Sequence, residues 1–312
     1  MTTLKKYSGS KFIHRLESHI DEISEGKLWH KCGCSSETGT LREVLLSWPS
    51  EKINFEGSAD KYLMINKPDF KLLCKQTETL AKFYESQGIR VHLYKKSEVP
   101  PNFIFMRDLF WTTPEGVVIS RPAAKQRAGE ERFAAEAIAN IGIPILFSFR
   151  SNATFEGADA LWLDEKTVLL GTGGRTNDEG ARQISNFLRS CGIITIIINL
   201  PQEIQHLLGV VNFLDKDLVA LHKEKATDTL KDILYKRQVK TIELPPDNEL
   251  ICGRGMNFIT LSKRCILMPS ECPGIRKRFE KEGVEIFEIN VSEYIKAAGG
   301  IGCLTGIILR DK

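Results

Sequence analysis

A repeated hairpin–helix–strand unit is the sequence feature that most restricts how this chain can fold. In each copy, two short β-rich runs flank a polar turn, an amphipathic stretch with apolar residues three and four apart follows, and another β-rich run ends the unit. The predicted hairpins span Leu109–Ser120, Ala160–Gly171, Val211–Leu221 and Phe258–Met268. The predicted helices span Glu130–Ile141, Asp178–Cys191, Ala226–Arg237 and Gly274–Glu282. The predicted last strands span Ile143–Phe147, Ile193–Ile198, Val239–Leu244 and Val284–Ile289. Self-similarity at a period of about fifty residues is typical of repeat architectures.

A fifth unit is divided between the two ends of the chain. Its hairpin pairs Cys303–Leu309 with Glu43–Ser47, and the helix Phe70–Gln87 and the strand Ile89–Tyr94 complete it. Pairing the two ends closes a ring and leaves no open sheet edge.

The repeats therefore predict an α/β propeller with five-fold pseudosymmetry, built from ββαβ units around an axis. We assign residues 41–312 to this single domain and residues 1–40 to an N-terminal extension. The alternative is a doubly wound, three-layer α/β fold. It explains the alternation of strands and helices, but not the regular placement of the reactive residues.

Those reactive residues recur in phase with the repeat. Glu156 follows Asp108 by 48 residues, His206 follows Glu156 by 50, and Cys303 follows His206 by 97, close to two periods. One functional side chain per repeat then points towards the axis.

Cys303 is a candidate nucleophile because it lies in the glycine-rich segment Gly299–Thr305. Glycines permit a sharp bend and a close approach of substrate to the backbone. A thiol with a reference pKa of about 8.5 attacks as the thiolate and needs a cation or a base beside it. We expect the other seven cysteines to be small buried residues. His206 alone among the six histidines occupies the repeat position, and imidazole is the usual proton carrier near neutral pH.

The carboxylates indicate what the cysteine attacks. Asp108 ends the run Phe105–Asp108, and Glu156 and Asp159 lie in Phe155–Asp159, so both motifs carry bulky apolar neighbours. Such carboxylates suit a pocket for a planar cation, because a guanidinium presents paired N–H groups that a carboxylate meets bidentately. The combination suggests attack on a cationic carbon.

Composition excludes several classes of partner. The net charge of +3 comes from dispersed basic residues, which does not predict binding to nucleic acid. No apolar run is long enough for a membrane span. Met1–Ser24 has no signal-peptide core and is interpreted as a polar tail followed by an amphipathic helix. With eight unevenly spaced cysteines, we expect a cytoplasmic protein with free thiols.

No cofactor or metal is predicted. His30–Cys34 contains three soft ligands, but no second pair of ligands lies at a suitable spacing to complete a zinc site, so we interpret the segment as a flexible lead-in. Gly171–Gly174 lacks the lysine and the glycine spacing of a phosphate-binding loop.

The motifs together resemble the guanidino-group-modifying superfamily, whose members share the five-bladed pentein fold and include arginine deiminases, dimethylarginine dimethylaminohydrolases and amidinotransferases. The resemblance covers residues 41–309. It is carried by Phe105–Asp108, Phe155–Asp159, Gly174–Asn177, His206–Leu207 and Gly299–Thr305.

The resemblance implies a role for each matching residue. Cys303 would attack the guanidinium carbon to form a covalent thiouronium, and His206 would protonate the departing amine and then activate water. Asp108 and Glu156 would hold the guanidinium nitrogens, with Asp159 supporting them.

The same resemblance implies residues that bind the rest of the substrate. Arg127 and Arg175 match positions that hold the α-carboxylate in the dimethylarginine hydrolases, although surface salt bridges are an alternative for both. Phe105 is expected to line the pocket. Asn257, with Arg254, is expected there from the periodicity alone.

The family signature is mixed at two positions. Leu208 stands where the deiminases and amidinotransferases carry an aspartate, and so resembles the dimethylarginine hydrolases. Arg107 is closer to the deiminases and amidinotransferases. Leu208 lacks the carboxylate whose hydrogen bond would favour an unsubstituted guanidino nitrogen. Its side chain leaves an apolar slot for a methylated nitrogen instead.

Three functions remain open at this level. The first is hydrolysis of arginine or a substituted arginine to citrulline and ammonia or an alkylamine, and the second is transfer of the amidino group to an amine. The third is binding of a guanidino ligand without turnover. The small-molecule guanidino substrate would be selected by loops such as Asn54–Pro68, and a homo-oligomer is possible.

Overall fold

The computed structural model describes residues 13–312, which form five separate three-stranded sheets. In every sheet the central strand is antiparallel to one neighbour and parallel to the other. The strands are β1 (Leu41–Ser47), β2 (Arg90–Tyr94), β3 (Phe110–Thr113), β4 (Gly116–Ile119), β5 (Ile145–Ser148), β6 (Ala160–Asp164), β7 (Thr167–Thr172), β8 (Ile194–Asn199), β9 (Val211–Asp215), β10 (Leu218–His222), β11 (Lys240–Leu244), β12 (Ile259–Ser262), β13 (Cys265–Pro269), β14 (Glu285–Ile289) and β15 (Gly306–Arg310). The predicted propeller of five units is confirmed, and the doubly wound alternative is wrong because no sheet is shared between units.

The helices follow the amphipathic stretches and their capping residues. They are α1 (His19–Glu25), α2 (Phe70–Ser86), α3 (Met106–Leu109), α4 (Glu130–Ile141), α5 (Asp178–Ser190), α6 (Asp228–Lys236), α7 (Asn248–Ile251), α8 (Pro273–Glu280), α9 (Ser292–Lys296) and α10 (Ile301–Leu304). Helix α6 begins two residues later than predicted because the side chain of Thr227 caps the backbone N–H of Leu230. Such a cap fixes a helix start more firmly than apolar periodicity does.

The two ends of the chain share one sheet, in the order β15-β1-β2. Strand β1 is antiparallel to β15, with Val44 opposite Ile307, and parallel to β2, with Leu45 opposite His92. The predicted closure of the ring by the termini is therefore confirmed.

One predicted boundary is wrong at a critical position. The predicted last strand begins at Cys303, but this residue lies in the short helix α10, and β15 begins only at Gly306. The backbone N–H of Leu304 donates to the carbonyl of Gly300, and the Thr305 hydroxyl donates to the carbonyl of Ile301. These bonds close a helical turn that a run of apolar residues does not reveal.

The segment before β1 is packed and is not a flexible lead-in. Cys32 and Cys34 are buried, and the N–H of Gly33 donates to the carbonyl of Ile308 in β15. The predicted N-terminal helix corresponds to α1, which begins after the capping residue Ser18. The part of that prediction before residue 13 lies outside the described residues.

The eight cysteines all lie in the described part of the chain, and all are free thiols. The expectation that the other seven are buried is confirmed for Cys32, Cys34 and Cys272. It is wrong for Cys191 and Cys252, which are exposed, and Cys74 and Cys265 are only partly buried. No helix within residues 13–312 combines the length and the apolar character that crossing a membrane requires.

Candidate active site

Each of the five units contributes a residue at the same place, just before its first strand. Asp108 lies in α3 ahead of β3, and Glu156 and His206 precede the 3-10 turns that lead into β6 and β9. Asn257 precedes β12, and Cys303 precedes β15. The pseudosymmetry thus brings the predicted side chains to one end of the axis.

His206 forms the centre of a buried ion cluster. Its Nε2 lies 2.7 Å from Oε2 of Glu156, and its Nδ1 lies 3.9 Å from Oδ1 of Asp108. Burial opposes a charge on the imidazole, but the Asp108 and Glu156 carboxylates outweigh it and raise the pKa of His206 to about 9. Burial likewise disfavours ionised Glu156, yet the hydrogen bond and charge of His206 hold the pKa of Glu156 far below its usual range. An imidazolium–carboxylate pair is therefore the resting state at neutral pH.

Asp159 supports the turn that carries His206. Its Oδ1 accepts the backbone N–H of Leu207 at 3.0 Å, and its Oδ2 accepts the hydroxyl of Thr176 at 2.6 Å. Burial raises the pKa of Asp159 to about 6. This position is compatible with the supporting role expected from the sequence.

Arg127 is buried against carboxylates rather than placed in a surface salt bridge. Its Nη1 donates to Oδ2 of Asp108 at 2.6 Å, and its Nε donates to Oε2 of Glu130 at 2.9 Å. Glu156 lies 3.6 Å from the same Nη1. Sequence reasoning missed Glu130, although its position three residues after Arg127 is a usual spacing for an ion pair at a helix start. Burial raises the pKa of Glu130 to about 7, despite the adjacent guanidinium.

Arg175 forms weaker contacts with carboxylates than Arg127 does. Its guanidinium is partly exposed, and its Nη1 lies 3.5 Å from Oε1 of Glu156, at the limit of a hydrogen bond. Of the two arginines, Arg175 is therefore the one whose charge is more available to a ligand.

Asn257 holds Cys303 with both ends of its amide. Nδ2 of Asn257 donates to Sγ of Cys303 at 3.0 Å, and Oδ1 accepts the backbone N–H of Cys303 at 3.1 Å. Burial and the charge of Asp108 raise the pKa of the thiol, while Asn257 and Arg254 act in the opposite direction. Because burial and Asp108 raise the pKa of Cys303, the neutral thiol is favoured at neutral pH.

Two cavities meet at Cys303. The first, here called the cleft, is narrow and contains most of the predicted ligand-binding residues as well as the family-matched Asp108. It is lined by Leu63, Asn102, Phe105, Asp108, Arg127, Arg175, Gln205, Ala297, Ala298, Gly299 and Cys303. Leu63 comes from the loop expected to cover the pocket, whereas Asn102 and Gln205 were not predicted from the sequence. The second cavity, of about 610 Å³, lies on the side of His206.

Two groups of side chains within residues 13–312 have the composition of a metal site. One is Asp108, Glu156 and His206, where the charge of Arg127 already lies against Asp108. The other is His30, Glu43 and His92, in which both imidazole Nε2 atoms contact Oε1 of Glu43. The histidine of the possible zinc fragment is thus joined by residues of β1 and β2, which its local sequence did not reveal.

Comparisons with known proteins identify relatives of this chain. The model of the family described as "Arginine deiminase" matches residues 58–244. The N(G),N(G)-dimethylarginine dimethylaminohydrolase of Pseudomonas aeruginosa is 23% identical over 241 residues, which cover 77% of this chain and 90% of that protein. The arginine deiminase of Borrelia recurrentis is 25% identical over 254 residues, which cover 68% of this chain and 61% of that protein.

A solved structure shares the fold. The N-terminal domain of ArgZ, an arginine dihydrolase from the ornithine–ammonia cycle in Cyanobacteria, has a TM-score of 0.73 and is 19% identical to this chain. The superposition covers 86% of this chain and 98% of that domain.

Proposed function

The chain belongs to the arginine deiminase family, within the pentein guanidino-modifying superfamily, and from this premise we propose that it hydrolyses a guanidino C–N bond. The substrate is arginine or a substituted arginine, and the products are citrulline and ammonia or an alkylamine. The observation that carries the proposal is the convergence of Cys303, His206, Asp108 and Glu156 from four different units onto one buried site.

An unfilled acceptor in the cleft supports guanidinium binding. Arg127 occupies Oδ2 of Asp108, but Oδ1 is buried and has no hydrogen-bond partner anywhere in the described chain. Buried polar atoms are normally paired, so an N–H group of a bound guanidinium would complete this carboxylate. Arg175, at the rim of the same cleft, would bind the α-carboxylate of an amino-acid substrate.

Binding of the cation would also activate the nucleophile. The thiol of Cys303 is neutral because of its burial and the nearby Asp108. A guanidinium placed against it adds a positive charge that stabilises the thiolate and lowers the pKa of the thiol, so its proton leaves to solvent. Activation of Cys303 then depends on the presence of substrate.

The two half-reactions follow from the ionisation of His206. Sγ of Cys303 bonds to the guanidinium carbon, the C–N bond breaks, and the imidazolium gives its proton to the departing nitrogen. The neutral imidazole then takes a proton from water, whose oxygen bonds to the same carbon. The C–S bond breaks and releases the ureido product. A pKa of about 9 keeps His206 protonated for the first step at neutral pH.

The test is a ureido-product assay with arginine, monomethylarginine and asymmetric dimethylarginine, each with and without glycine. Citrulline formed without glycine is the expected result, and product formed only with glycine would identify an amidinotransferase instead. Cys303→Ser should abolish turnover, while Cys191→Ser, which changes an exposed thiol, should not. Mass spectrometry of quenched reactions should find the substrate adduct on the Cys303 peptide. An adduct confined to other cysteines, or turnover by Cys303→Ser, would contradict the proposal, and binding without product in any assay would indicate a non-catalytic protein.

A further inference from the structure

The second cavity shares Gln205, Ala298 and Cys303 with the cleft but does not contain Asp108 or Arg175, which are proposed to hold arginine. Its volume of about 610 Å³ is within the range of small-molecule sites. Ammonia or a methylated amine would fill only a small part of it. It is lined by Glu203, Ile204, Gln205, His206, Leu208, Gly209, His222, Glu224, Lys225, Pro246, Leu250, Ile251, Arg254, Met256, Asn257, Ala298 and Cys303.

His206 connects this cavity with the proposed reaction. It lines the second cavity and not the cleft, while Asp108, Arg127 and Arg175 line the cleft. The imidazole nitrogens of His206 also lie against Glu156 and Asp108, so a nitrogen that receives its proton lies where the cleft and the second cavity meet. A substituent on that nitrogen would extend into the second cavity. Leu208, buried beside His206, offers an apolar wall there and no carboxylate that would require an unsubstituted nitrogen.

Arg254 lines the second cavity with a positive charge that has no ion-pair partner among the described residues. Among residues 13–312 no carboxylate lies within 4.0 Å of its guanidinium, and its buried Nε has no hydrogen-bond partner. The backbone holds Arg254 in the left-handed region at φ 56°, a conformation that costs free energy for a residue other than glycine. Such a guanidinium is suited to a bidentate carboxylate.

The other charged residues around the cavity are either paired or acidic. Lys225 forms an ion pair with Glu203, and Glu224 carries a negative charge. His222 has a pKa held below its usual value by burial and by Lys225. Arg254 is therefore the cation left to meet an anion from a ligand.

We infer that the second cavity binds a carboxylate-bearing amine, with its nitrogen at His206 and its carboxylate at Arg254. The inference rests on the proposed function, because that amine is the group bonded to the guanidino carbon. In hydrolysis it is the leaving group of an Nω-substituted arginine: the C–N bond breaks, His206 supplies the proton, and water later replaces Cys303 on the carbon. In amidino transfer it is the acceptor: its nitrogen bonds to the thiouronium carbon, loses a proton to His206, and the C–S bond breaks.

The experiment compares Nω-(carboxymethyl)arginine with its neutral isostere Nω-(carbamoylmethyl)arginine. The wild-type kcat/KM should favour the carboxylate by about tenfold or more, the scale of one charge-assisted hydrogen bond. Arg254→Gln should bring the ratio of the two kcat/KM values close to one. The ratio is informative even if the loss of the Arg254 charge near Cys303 changes the absolute rates for both compounds. Lys225→Met, which removes a paired cation from the same wall, should leave the ratio unchanged. A wild-type ratio near one, or a ratio that survives Arg254→Gln, would overturn the inference.

Equilibrium binding separates this inference from the proposed function. Turnover of methylated arginines with no preference for the carboxylate would leave the function intact and overturn the inference. If no guanidine is turned over, calorimetry with Cys303→Ser still decides: tighter binding of the carboxymethyl compound, lost with Arg254→Gln, supports the cavity assignment, and equal binding overturns it. Formation of guanidinoacetate from arginine and glycine, sensitive to Arg254→Gln, would identify the amine as an acceptor rather than a leaving group.

Discussion

The ionisation of the site residues is determined mainly by other charged groups buried next to them. His206, Asp108, Glu156 and Arg127 are all nearly inaccessible to water, and the pKa values of His206 and Glu156 are shifted by the charges around them. A buried cation between two carboxylates keeps its proton to a higher pH than it would in water. The acid of the proposed first step is therefore made by its neighbours.

This dependence predicts the alkaline limit of the reaction. The pKa of His206 is raised to about 9, so the imidazolium persists at neutral pH and is lost as the pH rises through 9. We expect kcat/KM to fall there, because its pH dependence reports the ionisation of the free enzyme. Glu156→Gln should move the titration of His206, followed by NMR of the imidazole, towards its ordinary value near 6.5. Asp164→Asn, which changes a carboxylate on the outer part of the same unit, is the control. An unshifted titration in Glu156→Gln would show that Glu156 does not hold the proton.

The two arginines of the cleft should respond differently to substitution. Arg175 is partly free, whereas Arg127 is bonded to Asp108 and Glu130. Arg175→Met should therefore raise KM for arginine about tenfold or more with little effect on agmatine, which has no carboxylate. Arg127→Met should impair both substrates, because it leaves Asp108 and Glu130 buried without their cation. If Arg175→Met raised KM equally for arginine and agmatine, Arg175 would not bind the substrate carboxylate.

At this scale the sequence predicts the axial residues but not their partners. The phase of the repeat identifies Asp108, Glu156, His206 and Cys303, because each recurs before a first strand. Glu130 carries no such signal: a glutamate in the first turn of a helix is usually solvated, and only the fold reveals its burial.

At the scale of elements, helix caps and glycines fix the helix boundaries and turns that apolar periodicity does not determine. Helix α5 begins as predicted at Asp178, where the side chain of Asn177 accepts the N–H of Gly180. The helical turn around Cys303 was not predicted, because its four residues are too few to show a period and depend on close packing. Gly299 and Gly300 are the residues that permit that packing.

Gly299→Ala should displace the catalytic turn. An added Cβ would lie 2.1 Å from Cε1 of Phe105, so the ring, or α10 itself, must move. Overpacking of this kind costs about 1–3 kcal/mol of unfolding free energy. Because Cys303 follows within four residues, we expect the loss of kcat/KM, expressed as a free energy, to exceed the loss of stability. Gly174→Ala, where an added Cβ meets nothing within 4 Å, is the control for stability. Activity and melting temperature equal to the wild type in Gly299→Ala would refute the argument.

At the scale of the whole molecule, the segment before β1 joins different units of the propeller through buried side-chain contacts. Glu37 is buried, bonds Nη2 of Arg107 at 3.0 Å, and accepts the backbone N–H of Trp162 at 3.1 Å. Arg310, from β15, donates to the carbonyl of Gly39. The sequence predicted the ring of five units from its repeats, but not these contacts, because residues 1–40 do not repeat. Residues 37 and 39 of the predicted extension therefore pack against residues of the propeller.

Glu37→Gln tests how far the ring depends on this segment. The amide keeps the shape and an acceptor for Trp162, but it leaves the buried guanidinium of Arg107 without a countercharge, with Arg310 also nearby. Breaking a buried pair in this way costs about 3 kcal/mol or more, which urea unfolding would measure. Asp311→Asn breaks the exposed pair with Arg42 and should cost less than about 1 kcal/mol. Because Arg107 immediately precedes Asp108, we also expect Glu37→Gln to lower kcat/KM in conditions where the protein remains folded. Equal stabilities for the two variants would mean that the axis is held by packing of the units alone, and that the buried ion pair contributes nothing to the ring.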